Sequence, residues 1–213
     1  MKIELNDIKK AQDCNLETIA NEALYKLCKE HPYHNKKSEI VSKIWIIGRA
    51  YAAAVERRRI NREISNDEFY DKVVGEGLLK HGKEIDALIS SLNHYPEVTM
   101  ENIESILELH ALLTNVLKSL TGQYKRSLVS KYLHFHLPNL FYIYDSRAAK
   151  EINALSKTYN KEESTLDFNC LKKGYDKDYT KFFAKMYAAN HKIKDEFSVW
   201  LTPRELDNLL LCS

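Results

Sequence analysis

Apolar residues recur at intervals of three and four along almost the whole chain, and no two stretches alternate as a pair of half-buried strands would. That period places one apolar stripe on each helix, which restricts the chain to an all-α fold. Six glycines and four prolines in 213 residues are few for a turn-rich β architecture and favour long helices joined by short connections. The length is compatible with one large domain or with two small lobes sharing a core. A single domain over 1–213 is expected.

The pattern predicts a helix over residues 16–30 and a central one over 37–59, with Ile40, Ile44, Ile47, Gly48, Tyr51 and Val55 on one face. A third helical region covers 66–92, with a break expected at Gly75, Gly77 or Gly82 before His94-Tyr95-Pro96 ends it. Thr99 is the expected N-cap of the next helix, which buries Ile103, Ile106, Leu107, Leu113 and Leu117, carries His110 on or near that stripe, and stops at Thr121-Gly122. A short helix over 127–136 follows, and Pro138 limits it. An aromatic extended connection over 139–144 then leads into a helix over 146–157. Residues 158–176 are polar and read as loop. The last two helices are expected over 177–197, with Tyr179, Phe182, Phe183, Met186 and Tyr187 on a core-facing stripe, and from the capping box Thr202-Pro203-Arg204-Glu205 onward.

Composition excludes several classes of protein. Hydrophobic residues at 44% and charged residues at 29% belong to neither a disordered nor a membrane chain. No apolar run approaches the roughly 20 residues of a membrane helix, and the N-terminus lacks the pattern of a secretory signal, so a cytoplasmic monomer away from membranes is expected. The four cysteines, Cys14, Cys28, Cys170 and Cys212, include no C-x-x-C pair, which leaves buried free thiols as the default reading. The net charge of +2 hides two basic clusters. Arg57, Arg58, Arg59 and Arg62 form one, and Lys118, Lys125, Arg126 and Lys131 the other. Both suit a polyanionic partner.

The turn Leu120-Thr121-Gly122-Gln123-Tyr124-Lys125-Arg126-Ser127 joins two helices. A glycine turn running directly into a helix start points backbone N–H groups, and the positive end of the helix dipole, toward a phosphate. Gly122, Gln123, Tyr124 and Ser127 would supply that backbone, with Lys125, Arg126 and Lys131 adding sequence-independent phosphate contacts. An ordinary helix connection with solvated lysines is the alternative. Asp145 lies 19 residues after Arg126 and opens the next helix in Asp145-Ser146-Arg147.

Here the chain resembles the helix-hairpin-helix DNA glycosylases, in particular a bacterial branch near the oxoguanine-type enzymes. Their hairpin reads L-P-G-x-G, and an aspartate at a comparable distance begins a helix and is followed by Ser or Thr and a basic residue. The segment from Ser130 to Asp145 is worded similarly. The resemblance implies a glycosylase-like fold of two helical lobes flanking a cleft, with the hairpin and catalytic loop within 101–157. It also implies double-stranded DNA as partner, with Arg147 beside it, and Asp145 as the catalytic group. Thr121 and Tyr124 depart from the proline and second glycine of that hairpin. Arg126 stands where the family has its nucleophilic lysine, and arginine forms no Schiff base. A one-residue adjustment would bring Lys125 there; otherwise base release leaves an intact strand bearing an abasic site. The bland reading of Asp145 is a helix N-cap.

A glycosylase holds the extruded base between apolar or aromatic walls. Trp45, Arg49, Tyr51, His134, His136, Tyr142 and Tyr144 are the candidates. Arg49, within an apolar stretch, needs an anion, and a salt bridge to Glu56 is the alternative to a pocket. His134 and His136, two apart on a helix, point in different directions, so no metal is expected. No cofactor is expected either. The expected function is excision of a damaged or modified base, either an oxidised purine or a hypermodified cytosine such as the glucosylated hydroxymethyl form in phage DNA. A non-catalytic helical module that binds DNA or protein is the alternative.

Overall fold

The structure, a computed structural model, describes residues 3–14, 18–60, 62–158 and 174–212. It is all-helical, with no strand among these residues. In order the elements are α1 (Leu5–Asp13), α2 (Thr18–Glu30), α3 (Lys37–Ala50), α4 (Asn66–Glu68), a π-helical turn (Phe69–Gly75), α5 (Glu76–Lys80), α6 (Gly82–Leu92), α7 (Ile103–Thr121), α8 (Arg126–His136), α9 (Ser146–Thr158), α10 (Lys177–Phe197) and α11 (Pro203–Cys212). One cluster of buried apolar side chains draws on every helix except the short α4. No helix among the described residues is long and apolar enough to cross a membrane.

Most boundaries fall where the periodicity puts them, and the exceptions have local causes. The capping box at Thr202 closes as expected: Thr202 N–H donates to Glu205 Oε2 (2.7 Å) and Glu205 N–H to Thr202 Oγ1 (3.2 Å). A second one starts α1, a helix absent from the sequence reading, by pairing Glu4 with Asp7. Thr99 does not cap α7; Asn102 occupies that position and its side chain accepts the Thr99 amide instead (2.9 Å). The largest correction is α3, expected to reach residue 59 and ending at Ala50. Ala52 turns left-handed (φ 51°), and the amides of Ala52 and Ala53 donate back to Arg49 (3.3 Å) and Gly48 (2.8 Å), a Schellman closure with alanine in place of glycine. The gain is burial: the chain reverses over Gly48, whose missing Cβ would lie 3.1 Å from Ala54 Cα, and Ala54 and Val55 enter the interior.

Packing brings the C-terminus beside the centre of the chain. α8 lies against α2, α3 and α7, while α9 packs on α10 and α11. The stripe Tyr179, Phe182, Phe183, Met186 and Tyr187 is buried core, as its spacing implies. Cys28 is buried and Cys14 half-buried. Cys170 and most of the polar 158–176 segment lie outside the described residues.

Candidate functional site

α8 supplies the ties that place Asp145. Ser130 Oγ accepts the Tyr144 amide (2.9 Å), and His134 Nδ1 pairs with the Phe141 carbonyl (2.9 Å). These bonds lay the 137–145 connection along α8 and deliver Asp145 next to Lys131. Asp145 then divides its carboxylate. Oδ1 accepts the amides of Arg147 (3.0 Å) and Ala148 (2.9 Å), the N-cap bonds of α9. Oδ2 accepts from Lys131 Nζ at 3.3 Å, and that ammonium also donates to Ser127 Oγ (3.0 Å). The lysine is buried, whereas the aspartate side chain keeps 29% of its surface exposed.

Aromatic and charged groups surround this pair. Lys131 Nζ stands 5.7 Å from the centre of the Tyr51 ring. Tyr51 donates its hydroxyl to Asn21 and receives Arg204 Nη2 (3.1 Å). Arg204 Nε reaches the Tyr25 hydroxyl (3.4 Å), which bonds His134 Nε2 (2.7 Å). One turn along α11, Asp207 Oδ2 lies 3.9 Å from Arg204 Nη1, while its buried Oδ1 has no partner among the described residues. Burial, opposed by Arg204 and reinforced by Asp145, pushes the Asp207 carboxyl from 3.8 up to about 7. An ion pair and a second carboxyl of shifted acidity beside it form the sort of constellation in which acid–base chemistry is found. Sequence reading passed over Arg204 and Asp207. The available signal was a carboxylate set among Leu206, Leu209 and Leu210.

Other expected residues are placed elsewhere. The amine at Asp145 belongs to Lys131, not Lys125, whose ammonium donates to the Arg57 carbonyl. Lys131 is therefore no phosphate contact. Arg126 is not one either: its Nε bonds both oxygens of Asp176 (2.7 Å each) and its Nη2 lies 3.1 Å from Asp178, because Asp176 caps α10 and needs a cation there. Arg147 is exposed at the start of α9. In the turn, Gly122 is left-handed (φ 72°) and ends α7, and the Gln123 amide is taken by Thr121 Oγ1 (3.1 Å). Tyr124 is exposed, held between Lys118 (4.1 Å) and Arg126 (4.5 Å). The Arg126 and Ser127 amides have no partner among the described residues.

Of the base-pocket candidates, Tyr51 meets Lys131 directly and His134 joins the same network through Tyr25. Arg49 pairs with Glu56 and stands over the half-exposed Trp45 ring, the salt-bridge alternative. His136 belongs to a separate buried network, in which Lys43 Nζ donates to His136 Nε2 (3.1 Å) and to the His31 carbonyl (2.6 Å). Tyr142 is core, edge-on to Phe183 at 5.1 Å, and Tyr144 packs edge-on to Phe182 at 5.1 Å. Burial holds His134 down at about 3 and His136 well below the ordinary 6.5, so both rings are neutral. His134 and His136 share no ligand position, and no group of three metal-binding side chains occurs among the described residues. Comparison with known proteins finds no matching family model, no significant relative among curated proteins and no significant neighbour among solved structures.

Proposed function

We propose that the chain is a helix-hairpin-helix DNA glycosylase of two helical lobes, with α7, the turn, α8 and the start of α9 between them, acting on duplex DNA bearing a modified or damaged base. The observation that supports this most is the divided carboxylate of Asp145: one oxygen is spent on the helix cap, the other is bonded to Lys131, and the side chain as a whole keeps 29% of its surface in water. As the C1′–N bond breaks, its electron pair leaves with the base, and Asp145 faces the positive charge developing on the sugar. Water then adds to C1′, and the proton it gives up passes to the departed base, leaving an abasic site and a neutral free base. Lys131 is buried and its Nζ is engaged by Ser127 and Asp145, which keeps it from attacking C1′, so the strand stays uncut.

The test is incubation with canonical, oxidised and hypermodified genomic DNAs, followed by mass spectrometry of the released bases. One substrate should release its base with wild type and not with Asp145→Asn, which keeps DNA binding. Trapping of a covalent adduct by borohydride would overturn the uncut-strand clause. A second reading, a non-catalytic module, is favoured by one fact: the bonds of Asp145 are also those of a purely structural cap. Release of no base from any DNA establishes that reading instead.

A further inference from the structure

The two basic clusters of the sequence meet at the turn after α7. Ile60 N–H donates to the Thr121 carbonyl (3.2 Å), and the Ile60 side chain lies against Gly122, so close that a Cβ there would fall 2.0 Å from Ile60 Cδ1. Lys125 clasps the Arg57 carbonyl from the other side. Arg58 is left-handed (φ 58°), and the side chains of Arg57 and Arg58 are exposed. None of Arg57, Arg58, Lys118 and Lys125 has a carboxylate within ion-pair distance among the described residues. The nearby Glu56 is occupied by Arg49 and by the Tyr70 hydroxyl (2.6 Å). Ile60 leaves 75% of its surface in water where it lies on Gly122, and the exposed Tyr124 of the same turn accepts from Lys118 Nζ (2.6 Å).

We infer that the 57–60 segment and the 122–125 turn form one docking face for duplex DNA, with Arg57, Arg58, Lys118 and Lys125 on the phosphates and Ile60 as its apolar tip. This rests on the glycosylase reading and deepens it. Uncompensated cations gain by displacing counterions from a phosphate backbone. An isoleucine held out in water gains by entering a groove against sugars and base edges, as apolar wedges do in minor-groove complexes. The nest expected of the turn itself is partly covered, and the 57–60 segment that covers it supplies replacement charge.

The experiment measures binding of unmodified duplex DNA against salt concentration, which reads this face without requiring base release. The Arg57→Ala/Arg58→Ala double variant should lower the slope of log affinity against log salt by about 2, at roughly 0.9 per lost phosphate contact. Arg58→Glu, at an exposed position, should weaken binding further with an unchanged thermal midpoint. Ile60→Ala should weaken binding several-fold and leave the slope unaltered. Slopes and affinities equal to wild type in the double variant and Arg58→Glu overturn the inference, as does tighter binding to phosphatidylserine vesicles than to duplex, which reassigns the face to a membrane surface. Intact docking with no base release from any DNA would sink the glycosylase reading alone.

Discussion

The turn after α7 and the cluster around Asp145 are joined by one short helix, α8, and handle charge in opposite ways. At the turn, Arg57, Arg58, Lys118 and Lys125 stand in or near water without carboxylate partners, and the two segments are joined mainly through backbone groups. Around Asp145, Lys131, Arg204 and Asp207 are withdrawn from water and bonded or close to one another. Exposed charges gain little from pairing and lose little without it, which leaves them free for a partner. Buried charges need their partners, because removing one leaves the other desolvated and uncompensated. The first region is therefore suited to reversible docking, and the second to holding a geometry for chemistry.

The largest effect that would sharpen this contrast is on catalysis. Asp145→Asn keeps the cap, since asparagine caps as well as aspartate, but removes the charge that the glycosylase reading sets against the sugar. Base release should fall by about a hundred- to ten-thousand-fold, while duplex affinity stays within about two-fold of wild type. Equal loss of binding and release would merge the two regions into one.

Asp207→Asn probes the buried side through pH. The folded carboxyl ionises near 7 and the unfolded one near 3.8, so its stabilising contribution is full below pH 3.8 and is lost as pH rises through 7. Asparagine cannot ionise, and the variant should exceed wild type at pH 8 by up to about 4 kcal/mol in urea unfolding, with a smaller difference at pH 5. His110 and His134 act in the other direction. Burial lowers both from 6.5 to about 3, so their contribution is present above 6.5 and declines as pH falls toward 3. In Asp207→Asn this acid-side loss should remain. A gap between Asp207→Asn and wild type that fails to widen from pH 5 to pH 8 would contradict the placement of Asp207.

Arg126 lies in the turn by sequence and behaves like the buried region. Arg126→Ala should destabilise the chain by about 2 to 3 kcal/mol, because Asp176 at the start of α10 loses its cation, and should leave the salt slope of duplex binding untouched. Arg126→Lys should recover only part of the stability, lacking the guanidinium fork. A drop in salt slope would return Arg126 to the docking face.

How far these features were legible in the sequence depends on how local they are. The α7 stripe, the stop at Gly122 and the aspartate opening α9 are written within a few residues of where they act, and all appear in the fold. The end of α3 was not legible because alanine gives no sign of a left-handed backbone; only the packing of Ala54 over Gly48 selects it. α1 is short and largely polar, with just Ile8 and Ala11 buried, so it offers only two core-facing positions to read. At the site, Asp145 and Tyr51 were legible by residue type. Lys131 was read as a surface cation because its partner depends on the 137–145 connection folding back along α8. Arg204 and Asp207 arrive by tertiary packing of α11 on α9, which no local spacing encodes.

The smallest expected effect bears on the joint between the two basic clusters. Gly122→Ala combines two costs that a double-mutant cycle separates. The left-handed backbone at φ 72° disfavours any side chain by about 1 kcal/mol. The new methyl also meets Ile60 Cδ1, the movable end of a side chain with open water beside it, so this overlap should add no more than about 1 kcal/mol. Ile60→Ala alone should cost little, because most of that side chain is already exposed. In the background of Ile60→Ala, the Gly122→Ala penalty should shrink to its backbone part, a coupling of about 0.5 to 1 kcal/mol between residues far apart in sequence. Strict additivity in thermal or urea unfolding would mean that the Ile60 side chain does not sit on the glycine, leaving the two basic segments joined only through the Ile60–Thr121 and Lys125–Arg57 bonds.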